Sequence, residues 1–525
     1  MSLFKSVAAF GGITLISRLT GFVRDMFLAN FLGAGAVSDA FFVAFKLPNL
    51  FRNLFAEGAF TSAFVPMLSH KLVSEGKKKA LHFASQAISI LAFVLFLLVL
   101  LMELIMPWVT SLLAPGFITK GGDIALATQL SRITFPFLFF VSVVSFQSGV
   151  LNSFGRFAAP AAASIILNLT MIASVFMLVP FSITPAHGMS WGVFIAGILE
   201  VIWLNFFLRR ENISLRFDYH FLNIFRNSDI RTLFRRIAPG ILGAGVYQIN
   251  MVVDTILVSL VGAGAISWLY YANRLQQLPL GVVGASISVA LLPILSRHIK
   301  AGEKAQAENT QNKAVEYGAL LSIPAAVALI VLADPIINLL FQHGRFGAFE
   351  TLMTAQAVIA YSVGLPFYVI VKALTPNFFA RGDTRTPVKY SIVVLITNLT
   401  FSLLLIKPFG HVGIASATTI AALVSLYQYC HGLKKRGYWK FSRQLSIKIL
   451  KIIISSLVMG IMLVLSQYVA NACLGNWLDM PYLIKIPVFA ILCFISLISF
   501  VIMAKLTGVL DIMEIAAIIL KKGKK

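Results

Sequence analysis

Apolar residues dominate this chain in long unbroken runs. Examples are Ile88–Met102, Ile165–Val179 and Val488–Ala504. A helix of about 20 apolar residues is long enough to cross a bilayer, and within lipid each backbone polar group must be satisfied inside its own structure. The alternation typical of membrane-barrel strands is missing from the sequence. The pattern therefore predicts an all-α polytopic membrane protein.

Counting the runs that are long enough to span gives roughly 14 transmembrane helices. The predicted spans are 6–32, 37–68, 81–112, 125–151, 158–181, 187–208, 232–261, 266–296, 314–333, 350–379, 387–406, 411–433, 446–470 and 482–505.

Charge supports this topology. The mean hydropathy is +0.88 and only 12% of residues are charged, about half the usual soluble share, yet the net charge is +23. With a cytoplasmic N-terminus, most of the 43 Lys and Arg fall in inner loops and tails, and four lie outside: Lys120, Arg345, Lys407 and Lys485. This positive-inside asymmetry predicts that both termini are cytoplasmic, and it explains the charge without a nucleic-acid partner.

The chain contains an internal repeat. Pro136-Phe137 is followed 32 residues after the proline by Asn168-Leu169-Thr170, and Pro366-Phe367 is followed at the same distance by Asn398-Leu399-Thr400. Chance similarity among apolar residues is the competing explanation. The consistent spacing favours a true duplication.

A second motif repeats at the same interval, since Pro66-Met-Leu-Ser69 matches Pro293-Ile-Leu-Ser296. The interval of about 230 residues equals six predicted helices, which leaves the two halves in the same orientation, related by an axis along the membrane normal. We predict an N-lobe (1–228), a C-lobe (229–436) and two added helices with a basic cytoplasmic tail (437–525). Two lobes facing a central cavity are typical of a transporter.

The first two predicted helices carry four basic side chains. Because charges are expensive at bilayer depth, an intramembrane ionisable residue is a functional-site hypothesis by default. Together they indicate an anion held within, or moved across, the membrane. They are Arg18, Arg24, Lys46 and Arg52.

Helix 1 carries Ser17, Arg18 and Asp25. Arg18 lies roughly 18 Å from the start of the helix, which is near the middle of the bilayer. Asp25 follows it by seven residues and shares its face of the helix. We therefore expect Asp25 to orient Arg18.

Helix 2 places Lys46, Asn49 and Asn53 on one stripe, with Arg52 at its edge. Pro48 removes a backbone donor and should kink this helix. Broken helices that line a cavity are typical of transport sites, and guanidinium groups suit bidentate recognition of phosphate.

The competing interpretation is that the cations are neutralised by acidic residues of the same two helices. These are Asp25, Asp39 and Glu57. Against it, Asp39 and Glu57 lie towards opposite ends of helix 2, which leaves the cations concentrated around its middle.

The second half adds polar residues near the start of helix 8, namely Asn273, Arg274 and Gln277. Arg274 is either a ligand contact or an interfacial arginine that reaches towards water. Asp254 in helix 7 is a lone carboxylate. It either binds Na⁺ or a proton for coupling, pairs with another residue, or is protonated and inert.

No catalytic set emerges from the sequence. Ser/His/Asp groupings, a Walker loop and metal-ligand spacing are all missing, and the three cysteines are too scattered for a metal site. We predict a transporter that is not an enzyme and has no cofactor, driven by Na⁺, by H⁺ or by the membrane potential.

Several motifs resemble one family. Helix 1 has Ser17–Asp25 (SRLTGFVRD), and the next block runs from Ser38 to Phe60. Later matches are Tyr270–Arg274 (YYANR), Gly344–Phe346 (GRF) and Ala380–Arg385 (ARGDTR). Over essentially the whole chain, the sequence resembles the MurJ (MviN) family of lipid II flippases, within the MOP exporter superfamily.

The resemblance implies two six-helix lobes around a cationic cavity, and two C-terminal helices that form a groove for a lipid tail. The implied substrate is lipid II, an undecaprenyl-diphosphate-linked disaccharide-pentapeptide, flipped to the periplasmic leaflet of the bacterial inner membrane. Membrane lipids and the cell-wall synthesis machinery are the implied partners. The matching positions are Arg18, Arg24, Asp25, Asp39, Asn49, Arg52, Glu57 and Arg274.

The sequence departs from the family at Asn273 and Gln277, where relatives often carry acidic residues. This weakens a gating role for a carboxylate there. Two alternatives remain within the superfamily, a flippase for another lipid-linked oligosaccharide and a cation-coupled exporter. From other classes, a transferase acting on polyprenyl phosphates would need a carboxylate–metal site, and a scaffold for cell-wall enzymes would not need the arginines.

Overall fold

The computed structural model describes residues 3–53, 60–218, 224 and 227–509. All regular structure in these ranges is helical, and they contain no strand. The prediction of an all-α protein is confirmed. Leu97, Leu104 and Trp108 are among the many large apolar side chains exposed on the helices, as expected where a surface faces lipid.

The chain folds as two compact units. The first comprises Met1–Ser267 and His343–Phe346. Its helices are α1 (Leu3–Leu32), α2 (Ala36–Phe51), α3 (Thr61–Ser74), α4 (Gly76–Leu113), α5 (Gly116–Thr119), α6 (Ile124–Thr134), α7 (Phe137–Ser153), α8 (Ala158–Met177), α9 (Pro185–Arg210) and α10 (Ser228–Ser259).

The second unit comprises Trp268–Gln342 and Gly347–Lys525. The boundary falls inside α11, near its start. The helices from this point are α11 (Ala265–Pro279), α12 (Ala285–Lys300), α13 (Lys304–Val331), α14 (Ala333–Phe341), α15 (Ala348–Phe379), α16 (Arg385–Lys435), α17 (Arg443–Leu474) and α18 (Tyr482–Leu506).

Ten helical segments of the described residues are long and apolar enough to cross a membrane. One of them, α16, is a 51-residue element broken at Gly410, whose φ of 53° is readily adopted only by glycine. This break falls between two of the predicted spans, 387–406 and 411–433. The total of 14 spans stays a prediction.

Several helices begin well before their apolar run. α4 starts at Gly76 rather than at 81, and α13 starts at Lys304 rather than at 314. The added turns are rich in lysine, glutamine and glutamate. Hydropathy locates only the part of a helix that lies in lipid, because the backbone hydrogen bonds continue unchanged into water.

The repeat has a structural counterpart in broken helices. α2 contains Pro48 and passes at Arg52 into a wider, π-helical turn before α3. α11 ends at Pro279 and continues through a π-helical turn, Leu280–Gly284, into α12. Each half therefore has a proline-containing helix that passes into a π-helical turn, and the kink predicted at Pro48 itself stays a prediction.

The turns after these broken helices also match. α3 ends before Gly76 and α12 ends before Gly302, and both glycines have left-handed φ, 83° and 74°. Asn168 and Asn398, the two ends of the other motif, are both buried within long helices. The duplication seen in the sequence therefore extends to the backbone.

One loop packs very tightly in the first unit. The backbone N–H of Arg345 donates to the Asn30 carbonyl at 2.9 Å, at the end of α1. A Cβ on Gly344 would lie 2.0 Å from Asn30 Oδ1, and one on Gly33 would lie 2.7 Å from the Arg345 carbonyl oxygen. Both glycines also have positive φ, so this contact admits no larger residue.

Candidate functional site

Arg24 is the best anchored of the predicted cations. Its side chain is 4% exposed, and its Nη2 lies 2.7 Å from Asp25 Oδ1. Nη1 donates to Asn168 Oδ1 at 3.1 Å, and the guanidinium carbon lies 5.7 Å from the centre of the Phe45 ring. Arg24 thus connects α1 to α8 and α2, and its orientation is fixed by partners on two sides.

Asn168 also bonds to α1 at positions before Arg24. Its Nδ2 donates to the Ser17 carbonyl at 3.0 Å and approaches Thr20 Oγ1 at 3.3 Å. Arg18, which follows Ser17, is exposed. The expectation that Asp25 orients Arg18 is wrong, because the Asp25 carboxylate forms its ion pair with the adjacent Arg24.

Lys46 points to α10 of the same unit. Its Nζ donates to Thr255 Oγ1 at 2.5 Å, and Asp254 is close enough to act on it electrostatically. Asp254 also accepts from Asn250 Nδ2 at 3.2 Å. Asp254 thus lies within electrostatic reach of Lys46, and the choice between coupling, pairing and an inert protonated state stays a prediction.

The rest of helix 2 is partly defined. Asn49 Nδ2 donates to the Phe45 carbonyl at 2.7 Å, so this amide is bonded within its own helix. Arg52 is half-buried in the π-helical turn. Glu57 lies outside the described residues.

Asp39 is not a counter-ion for the arginines. It is fully buried, and it accepts from the backbone N–H of Gly264 at 2.6 Å and of Ser267 at 2.8 Å. Ser267 Oγ adds a third bond at 2.5 Å and also lies 2.8 Å from Ser38 Oγ. The carboxylate therefore holds the turn between α10 and α11 against α2.

Arg274 lies in the second unit. Its Nη2 donates to Tyr270 Oη at 2.8 Å, and its guanidinium carbon lies 5.0 Å from the centre of that ring. Gln277 Nε2 donates to Asn273 Oδ1 one turn along. Asn273 and Gln277 thus bond to each other.

The comparisons with known proteins agree with each other. The sequence profile of the family described as "Lipid II flippase MurJ" matches residues 28–483. A "Probable lipid II flippase MurJ" of Rhizobium tropici is 37% identical over 521 residues, covering 98% of this chain and 96% of the relative. The "Lipid II flippase MurJ" of Burkholderia cenocepacia is 32% identical and covers 84% and 85%.

This chain belongs to the MurJ family. A solved structure titled "Lipid II flippase MurJ, inward closed conformation" superposes with a TM-score of 0.79 at 27% identity, covering 95% of this chain and 98% of that one. An inward-facing multidrug MATE transporter of the MOP superfamily has a TM-score of 0.66 at 14% identity, covering 82% and 98%, which shows a shared fold. The predicted family, the MOP-type fold and the assignment to transporters rather than enzymes are confirmed.

The structure of this MurJ family member adds three residues that sequence reasoning missed as parts of the site. They are Asn168, Thr255 and Ser267. Asn168 had a signal, because its motif repeats at a fixed distance after a proline. Thr255 follows Asp254 in the sequence, and only the charged residue of the two was singled out. Ser267 had none, since a serine near a helix start is ordinary.

The described residues bring together Arg24 with Asp25, Lys46 with Asp254, and Asp39 with the turn after α10. Among the described residues, Arg24 therefore has the carboxylate of Asp25 beside it, as in the neutralisation interpretation, while the acid near Lys46 comes from a different helix. Within the same ranges, no three His, Cys, Asp or Glu side chains form a group able to hold a metal ion.

Proposed function

We propose that this chain flips lipid II from the cytoplasmic to the periplasmic leaflet of the bacterial inner membrane. The family match over residues 28–483 carries this proposal. The arginines of α1 and α2 support it, because a lipid-linked diphosphate is the kind of anion that guanidinium groups bind.

The proposed diphosphate site in the first unit consists of Arg18, Arg24, Lys46, Asn49 and Arg52. The role predicted from the sequence for Arg274, which lies in the second unit, stays a prediction. Within the proposed site, Arg18 is exposed on α1 and is the natural first contact. Arg24 is held by Asp25 and Asn168, which fixes its fork before the substrate arrives. Such preorganisation reduces the ordering that binding must impose.

Transport is proposed to follow alternating access, with both termini in the cytoplasm. Two contacts lie on the periplasmic side by the predicted topology. One is the bond from the Gly264 N–H to Asp39, and the other is the bond from the Arg345 N–H to the Asn30 carbonyl. They are suited to keep that side closed until the substrate is bound. Opening requires these contacts to break.

The lipid tail is proposed to remain in an apolar groove of the second unit. A cavity of about 390 Å³ lies between α13 and α17, lined by Val327, Val331, Leu457, Gly460 and Val464 among others. A groove of this kind accepts a polyprenyl chain without desolvating any charge. The sugar–peptide head would then move through the protein while the tail stays in lipid.

We propose that Lys46 changes its partner during the cycle: it moves away from Asp254 and binds the diphosphate. The driving force is proposed to be the membrane potential, at about 2.3 kcal/mol per charge per 100 mV. Na⁺ or H⁺ bound at Asp254 is the alternative. Enzymes of cell-wall synthesis are the proposed protein partners.

The Lys46–Asp254 pairing can be tested by a double-mutant cycle on thermal stability. We expect Lys46→Met and Asp254→Asn each to destabilise the protein, because each removes the attraction between these two charges. The double variant should lose less than the sum by roughly 1–3 kcal/mol. Strict additivity would contradict the pairing.

The same variants separate the two driving forces. In proteoliposomes, lipid II flipping by Asp254→Asn should keep whatever dependence on a sodium or proton gradient the parent has. Loss of a gradient dependence in this variant alone would assign coupling to Asp254 and overturn our preference for the membrane potential.

The function itself is tested in cells depleted of their own flippase. We expect this protein to restore lipid II exposure on the outer leaflet, measured by labelling intact cells. The control is the empty vector, with membrane levels of the protein checked by immunoblot. Unrestored exposure with the protein in the membrane would point to another lipid-linked oligosaccharide.

A further inference from the structure

A second cationic feature lies away from the proposed transport site, at the start of α10. A cavity of about 500 Å³ is lined there by Val94 of α4 and by Arg231, Phe234 and Arg235. The two arginines are one helical turn apart and both are exposed. Sequence reasoning assigned them only to positive-inside charge.

The first turns of α10 are amphipathic. Ile230, Leu233 and Ile237 are at most 7% exposed and pack into the core of the first unit. The opposite face carries the two arginines and Phe234, which is 41% exposed. A face towards water alone would not be expected to place a phenylalanine between arginines, whereas a face at the membrane surface often does.

The neighbouring helix locates the membrane surface. Below the cavity, Ser85 and Ser89 of α4 accept from the backbone N–H groups of Arg216 and Asp218 at 3.1 and 2.8 Å. Above it, Val94 begins an exposed apolar stripe that continues through Leu97 and Leu101. The cavity therefore lies where the polar cytoplasmic part of α4 meets its lipid-facing part.

We propose that this cavity binds the head group of an anionic phospholipid of the cytoplasmic leaflet. The phosphate lies between Arg231 and Arg235, and an acyl chain follows Phe234 and Val94 along α4. Charge complementarity and the adjoining apolar stripe favour a lipid over a soluble phosphate, because a free anion would leave the apolar half of the cavity unused. We propose that this lipid site is distinct from the site that binds the transported substrate.

The experiment titrates the purified full-length protein in neutral detergent with phosphatidylglycerol and measures bound lipid by native mass spectrometry. In the double variant Arg231→Gln/Arg235→Gln, the tightest binding should weaken roughly 30-fold, since each basic residue near a lipid surface contributes about fivefold. Arg209→Gln/Arg210→Gln is the matched control, with the same charge change at the exposed end of α9.

The control variant should bind phosphatidylglycerol like the parent. Phe234→Ser should weaken it while leaving every charge in place, and excess inorganic phosphate should not displace the lipid. If both double variants bound phosphatidylglycerol equally weakly, the effect would come from net charge alone and the proposed site would be wrong. Three other results would also contradict the proposal: undiminished binding by Arg231→Gln/Arg235→Gln, equal binding of phosphatidylcholine by the parent, and displacement of the lipid by inorganic phosphate.

Undecaprenyl diphosphate provides a further arm, because it shares the phosphate chemistry. If the first double variant lost this ligand and kept phosphatidylglycerol, the cavity would belong to the substrate and the proposal would be wrong. Size-exclusion profiles and melting temperatures like those of the parent are required of each variant. None of these measurements depends on flipping.

Discussion

Replacing Arg24 by alanine is expected to abolish lipid II flipping, with a loss of roughly 100-fold or more. The physical reason is that Arg24 makes charge-assisted bonds to Asp25 and a bond to Asn168, each worth about 1–3 kcal/mol. Without it, the buried Asp25 carboxylate loses its ion pair with Arg24, and α1 loses a connection to α8. The measurement is outer-leaflet lipid II in flippase-depleted cells.

The same replacement also threatens folding, so a second variant is needed. Removing one partner of a buried ion pair typically costs about 3–5 kcal/mol, whereas replacing both is much milder. Arg24→Ala/Asp25→Asn should therefore recover part of the thermal stability that Arg24→Ala loses, and still fail to flip. If this double variant flips lipid II at the parental rate, Arg24 has a structural role only.

Arg24→Lys separates charge from shape. Lysine retains the cation but loses the planar fork that reaches Asp25 and Asn168 together. We expect it to reach the membrane and to restore no more than about a tenth of the exposure. Full activity of the lysine variant would contradict bidentate recognition at this position.

Asp39→Ala is expected to open the protein on the side that we propose to be periplasmic, and to reduce flipping more than tenfold. The change removes three bonds accepted by one buried carboxylate, and it leaves the N–H groups of Gly264 and Ser267 without that partner. Bonds to a charged group are worth about 1.5–3 kcal/mol each. A transporter that cannot hold one side closed cannot alternate.

Opening is measured at Ala34, which is 4% exposed in the turn before α2. The three native cysteines, Cys430, Cys473 and Cys493, are first replaced by serine, and Ala34→Cys is added. A membrane-impermeant maleimide applied to intact cells should label this cysteine faster once Asp39→Ala is introduced.

Ser267→Ala is the matched control for Asp39→Ala. It removes one hydroxyl donor and keeps both backbone bonds, so its effect on labelling and flipping should be clearly smaller. Labelling that does not change with Asp39→Ala would remove this carboxylate from the periplasmic closure.

The sequence by itself determined the class of protein and its duplication. Long apolar runs require helices in lipid because no water is present to satisfy the backbone, so the all-α fold followed directly. The duplication was visible from the equal spacing of the Pro136 and Pro366 motifs. The kink at Pro48 was predicted from the backbone donor that proline lacks. The cluster of cations was visible because a charge at bilayer depth is too costly to be incidental.

Only the tertiary structure decided which charges meet. Helical periodicity placed Asp25 on the face of Arg18, but the side chain turns to Arg24, because Asn168 of another helix holds that arginine beside it. Asp254 was a lone carboxylate in sequence and lies near Lys46, more than 200 positions away. A sequence gives the cost of burying a charge, whereas the partner that offsets this cost depends on how distant helices pack.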